Sequence, residues 1–125
     1  MYYQQHNHHN HNKPVSIIRK SDRSFVIRLI NHENMEPFDI SGASQVKAYF
    51  PKEEGGAVEK NMTPSGAIQI LNPAIGKIEI TLDENDTALL NVGEAQSFEV
   101  EIQIGSITTV VQFVELLDVL DRIFG

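Results

Sequence analysis

Two stretches of this chain alternate apolar and polar side chains at every step, and they constrain the fold more than any other feature. Lys77-Ile78-Glu79-Ile80-Thr81-Leu82 and Phe98-Glu99-Val100-Glu101-Ile102-Gln103-Ile104 gather their large apolar groups on one side of an extended backbone, because successive side chains of a strand point to opposite faces. Wound as helices, both would lose that single buried side. Gly105-Ser106 follows the second stretch, and Ile107 to Phe113 resumes a β-rich pattern. Two such runs joined by a Gly-Ser pair predict a hairpin whose glycine takes a positive φ.

Composition agrees with strands. Hydrophobic residues make up 41% of 125 residues while aromatics are 7% and Trp is absent. The core must therefore be built mostly from β-branched and Leu side chains, which pack well on a pleated surface and lose freedom in a helix. Phe25, Ile27 and Leu29 alternate with Val26, Arg28 and Ile30, and Asn31-His32-Glu33-Asn34 reads as a turn. Phe38 to Ile40 is a short extended piece, and Val46, Ala48 and Phe50 form a further apolar face before Pro51 ends that strand. Val58 to Met62 reads as an edge strand, and Ala67 to Leu71 as a strand closed by Asn72-Pro73. Asp83 is an N-cap for one or two helical turns reaching Leu90 and stopped by Gly93. Short strands with helix only at the periphery predict an all-β chain, an immunoglobulin-like antiparallel β-sandwich.

Three segments follow from this reading: 1–14, 15–115 and 116–125. The first holds His6, His8, His9 and His11 among Asn, a composition too polar to offset its ordering entropy. It reads as a tail or arm resembling an affinity tag, its histidines at most adventitious metal ligands. It lacks the apolar core of a secretion signal. In the last segment the spacing of Leu116, Val119, Leu120 and Ile123 predicts a helix with one apolar face, widened by Leu117 and Phe124. So short a helix needs support, so this stripe either caps its own sandwich or forms an interface.

Catalytic chemistry finds little to work with. There is no cysteine, hence no thiolate nucleophile and no disulfide. Gly55-Gly56 lacks the Lys-Ser/Thr of a phosphate loop, and no nucleophile elbow occurs. His32 is the one histidine outside the tail. Glu99 and Glu101 share a strand face, as do Lys77, Glu79 and Thr81. Paired carboxylates suit acid-base work or a divalent cation, but here they read as the wet face of a half-buried sheet, with Lys77 opposite an acid. Asp83-Glu84-Asn85-Asp86 begins like a calcium loop without its glycine or its closing glutamate. No enzyme activity and no cofactor are expected. The net charge of -7, from 10 basic and 17 acidic residues, with Arg19, Lys20 and Arg23 as the one basic cluster, argues against nucleic acid. No apolar run approaches the ~20 residues that cross a bilayer.

Certain local sequences recur in a known order: the strand Phe25 to Ile30, then Asp39-Ile40-Ser41-Gly42-Ala43, Gly76-Lys77-Ile78-Glu79-Ile80-Thr81-Leu82, Thr87-Ala88-Leu89, Gly93, and the hairpin Ser97 to Phe113. From Asp22 to Ile123 this order resembles the β-sandwich modules of phage tail-fibre-associated and baseplate proteins, in particular the N-terminal domain of siphophage upper baseplate proteins. Gly93 is followed by an aromatic only at Phe98, later than the family pattern has it. The resemblance implies a non-catalytic structural protein of a phage or prophage tail or baseplate, found in the virion after synthesis in the host cytoplasm. It implies docking to other tail proteins and to copies of itself as a homo-oligomer, with no nucleic acid and no membrane. A small module binding carbohydrate or calcium is the alternative, weakened by the scarcity of aromatic platforms.

Overall fold

The structure is a computed structural model describing residues 12–124. Both clean alternations are strands whose apolar positions are buried, Ile104 only in part, and they lie in different sheets. The strands are β1 (Val15–Ile18), β2 (Arg23–Arg28), β3 (Ile30–Asn31), β4 (Glu36–Pro37), β5 (Ala43–Pro51), β6 (Ala57–Asn61), β7 (Ile68–Asn72), β8 (Lys77–Leu82), β9 (Gly93–Ile104) and β10 (Ile107–Leu120). A 3-10 turn, Pro73–Ile75, precedes β8, and one helix, α1 (Glu84–Ala88), follows it. The order β1-β10-β9-β5-β6 makes a five-stranded sheet and β2-β8-β7 a three-stranded one, with β3-β4 a small separate ribbon. The larger sheets pack in a sandwich-like arrangement. All neighbouring pairs are antiparallel except β1 and β10, which run parallel.

The interior is one cluster. Phe25, Ile27, Ile78, Ile80, Leu82 and Ile68 come from the three-stranded sheet, and Val46, Ala48, Phe50, Phe98, Val100, Ile102 and Phe113 from the other. Four of these are phenylalanines in mutual contact. Phe98 stacks on its cross-strand neighbour Phe113 (centroids 4.7 Å, planes 3° apart) and on Phe50 (5.1 Å). Phe25 reaches across from the opposite sheet and meets Phe50 and Phe98 edge-on at 6.1 and 6.3 Å. Each such pair contributes about 0.5–1.5 kcal/mol beyond simple burial.

The hairpin expected at Gly105-Ser106 is present: Ile104 pairs with Ile107, and Gly105 has φ +60°. Gly76 also has positive φ (+64°), but in a crowded place. A Cβ there would lie 2.6 Å from the carbonyl oxygen of Phe38 and 2.9 Å from that of Leu29. The predicted helical start is confirmed by a capping box at Asp83, although α1 ends at Ala88, well before Gly93.

Three expectations are corrected. The C-terminal helix is a strand. β10 continues to Leu120, so the sheet extends five residues past the expected boundary at 115. The helical spacing of its apolar residues comes from a β-bulge. Between the pairs Phe113–Phe98 and Leu117–Gln96, β10 spends four residues against two of β9, and Glu115 sits at φ +61°. The two extra residues leave Glu115 outside and turn both Leu116 and Leu117 inward, after which Val119 follows on the same side as Leu117. As a strand the segment gains a ladder on both sides, from β9 and β1, where an isolated helical turn would gain none. The piece Phe38 to Ile40 lies outside any strand; β4, just before it, takes that pairing. Lys77 faces Arg28 on β2 and Asn72 on β7 rather than an acid.

Two outcomes follow from this packing. Phe98→Ala will cost about 3–5 kcal/mol in urea unfolding, and Phe98→Leu distinctly less. Gly105→Ala will cost only the left-handed penalty, about 1–2 kcal/mol, because nothing lies within 4 Å of its Cβ position. Gly76→Ala will cost more, since two carbonyls must also move.

Candidate functional site

The stripe expected either to cap its own sandwich or to form an interface divides in two. Leu116 and Val119 are each 1% exposed and belong to the sandwich core. Leu120 (45%) and Ile123 (90%) face outward. The parallel register sets Ile18 of β1 (48% exposed) directly beside Leu120, and Phe124 (83%) completes the group. With Asp121 and Arg122 these four line a shallow depression of about 490 Å³. Sequence reading missed Ile18, although Val15-Ser16-Ile17 alternates; a four-residue strand is too short to stand out.

A polar network fastens this end of the sandwich. The backbone N–H of Arg19 donates to the carbonyl of Leu120 at 2.9 Å. Its guanidinium Nη2 donates to the carbonyl of Ala88 at 2.9 Å, with Glu53 at 3.6 Å and Asp121 at 3.8 Å. Thr87 is wholly buried. Its Oγ1 donates to the Ser21 carbonyl (2.8 Å) and accepts the Ser21 N–H (3.1 Å), tying α1 to the turn between β1 and β2. The basic cluster read from sequence is thereby dispersed: Arg19 is in this clasp, and Arg23 donates to the Ser16 carbonyl with its guanidinium 5.6 Å above the Phe25 ring.

The acidic run Asp83 to Asp86 is committed to the helix start. Asp83 Oδ1 accepts the Asp86 N–H at 2.8 Å, and Asp86 Oδ2 accepts the Asp83 N–H at 2.9 Å. Asp86 also pairs with Lys60 at 2.9 Å, both side chains being largely buried. The N–H of Asp86 holds the Asp83 carboxyl below the usual carboxylate range. Among the described residues no group of three or more His, Cys, Asp or Glu is placed to hold a metal ion; His6, His8, His9 and His11 lie outside the described residues.

His32 falls in the turn expected for it, yet it is half-buried beside Ile30, Phe38, Thr109 and Val111. Burial lowers its pKa.

Glu99 and Glu101 do share the outer face of the five-stranded sheet. Glu101 stands opposite Lys47 on β5 and Val110 on β10, and Glu99 stands opposite Tyr49 and Gln112. Tyr49 in turn faces Glu59 on β6. Its phenol pKa is raised, first by burial and then by Glu101, Glu59 and Glu99. This juxtaposition depends on the register of four strands, so no local pattern announces it.

No family model matches the chain, and no curated protein sequence matches it. Among the described residues no helix is long and apolar enough to cross a membrane.

Thr87→Val keeps the shape of the side chain but strands the Ser21 N–H and carbonyl. It will lower stability by about 1–3 kcal/mol, measured by thermal or denaturant unfolding, whereas Thr87→Ser will retain most of it.

Proposed function

We propose that this chain is a non-catalytic docking module, an immunoglobulin-like sandwich serving as a structural component of a phage or prophage tail or baseplate. The immunoglobulin-like reading draws on strand order. The three-stranded sheet β2-β8-β7 corresponds to strands B, E and D of that fold, and β10-β9-β5-β6 to G, F, C and C′. Phe25, Phe50 and Phe98 then occupy strands B, C and F, which carry the Cys, Trp and Cys of antibody domains. The tail or baseplate role rests on the resemblance in the order of local motifs from Asp22 to Ile123.

One observation carries the docking role: Ile18, Leu120, Ile123 and Phe124 expose apolar side chains together at one edge, and grouped surfaces of this kind mark protein interfaces. Symmetric self-association, or contact with another virion protein, buries them. Gene neighbours encoding tail or baseplate proteins are the expected genomic setting.

Light scattering during size-exclusion chromatography tests the contact. At high concentration the chain will run above its 14.0 kDa monomer mass, and Ile123→Asp combined with Phe124→Asp will return it to monomer with an unchanged melting temperature, because both side chains are exposed in the isolated fold. A wild-type chain that stays monomeric at high concentration removes the homo-oligomer, leaving heterologous docking to be read by pull-down with the neighbouring gene products.

A further inference from the structure

We infer that the outer face of the five-stranded sheet is a second docking site, shaped for an arginine or lysine side chain presented by a protein partner. It is separate from the apolar edge and does not depend on that reading. Across β10, β9, β5 and β6 the register sets Gln112, Glu99, Tyr49 and Glu59 in one transverse row. Cross-strand neighbours on one face stand roughly 4.5–5.5 Å apart at Cβ, so the phenol ring has a carboxylate on each side. Tyr49, Glu99 and Gln112 of this row line a groove of about 360 Å³, with Pro51, Ala57, Ser97 and Val114 among its other walls. Its walls are largely apolar, Glu99 is the acid among them, and Glu59 stands on the other side of Tyr49.

That combination selects a long cationic side chain. Its aliphatic stem covers Pro51, Ala57 and Val114, and its charged head sits over the Tyr49 ring, where a cation is attracted to the face of an aromatic. Glu99 then neutralises it on one flank, and Glu59, shared with Lys47, faces it on the other. The next row, Val110, Glu101, Lys47 and Asn61, contains one base, and Lys47 is already matched by Glu101 opposite and Glu59 at 4.0 Å. Glu99 has no basic residue in its row. A neutral apolar ligand would desolvate these carboxylates without compensation, and an anionic one would be repelled. The outer face of the other sheet differs: Arg28 and Lys77 stand there in register with each other, and Glu79 lies between Val26 and Gln69. Negative charge facing an aromatic groove is thus a property of one side of the sandwich, and the overall charge of -7 favours approach of a cationic partner from a distance.

The experiment is an NMR titration of the whole chain with a short peptide alternating Arg and Ser, against one alternating Glu and Ser. The Arg peptide is expected to give saturable shifts confined to β5, β6, β9 and β10 around Tyr49, weakening as salt is added, and the Glu peptide none. Tyr49→Ala and Glu99→Lys should each lower affinity about ten-fold or more, while Tyr49→Phe retains the ring and most of the binding. Glu79→Lys, on the opposite face, should leave binding unchanged. All three positions are at least partly exposed, and Tyr49→Phe controls for folding of the Tyr49 site. Shifts that fail to saturate, or an equal loss with Glu79→Lys and Glu99→Lys, would mean diffuse attraction to an acidic protein and would overturn the site, whatever the oligomeric state proves to be.

Discussion

The contact on which the rest of this sandwich depends is the edge of one ring, Phe25, against the rings of Phe50 and Phe98. With neither cysteine nor tryptophan in the chain, no covalent bridge and no indole holds the sheets together, and aliphatic packing alone is tolerant of sliding. Rings are not. Their edge-to-face preference fixes an angle as well as a distance, and Phe98 stacked on Phe113 fixes the β9–β10 register from within one sheet. A slip by one residue would turn both rings out to water. Four aromatic side chains thus specify both how the sheets face each other and which residues end up outside.

What ends up outside is orderly because the register is. Tyr49, Glu59 and Glu99 are distant in sequence and become neighbours only when three strands align. The polar network at the β1 end acts on a different scale. Arg19 and Thr87 join the first turn, the helix and the close of the last strand, so Ile18 and Leu120 are displayed on a braced edge rather than on a fraying one.

The strands that bury one face alone were legible, since alternation records burial directly: Lys77 to Leu82 matches β8 residue for residue. The Asp83 cap was legible for a similar reason, being a local hydrogen-bond exchange between residues three apart. The C-terminal segment reads as a helix because the bulge around Glu115 puts four residues of β10 against two of β9, and the resulting spacing at Leu116, Leu117, Val119 and Leu120 imitates a helical one. Half of the expected interface therefore lies in the core, and the exposed half, Leu120 and Ile123, acquires a neighbour in Ile18 that only tertiary pairing supplies. β1 left a faint signal because its partner is parallel and nearly the whole chain away. The Tyr49 row left none, since cross-strand proximity is written in register and turn geometry, not in any one stretch.

The parallel pairing of β1 with β10 has a consequence for assembly. A surface made jointly by Ile18 and Leu120 cannot exist while the strand from either end is unpaired, and bringing such distant segments together is entropically slow. This exposed apolar edge is therefore a report on completed folding. Partially folded chains do not yet present it as one surface, so the docking proposed for this edge would wait on the closure of the sheet.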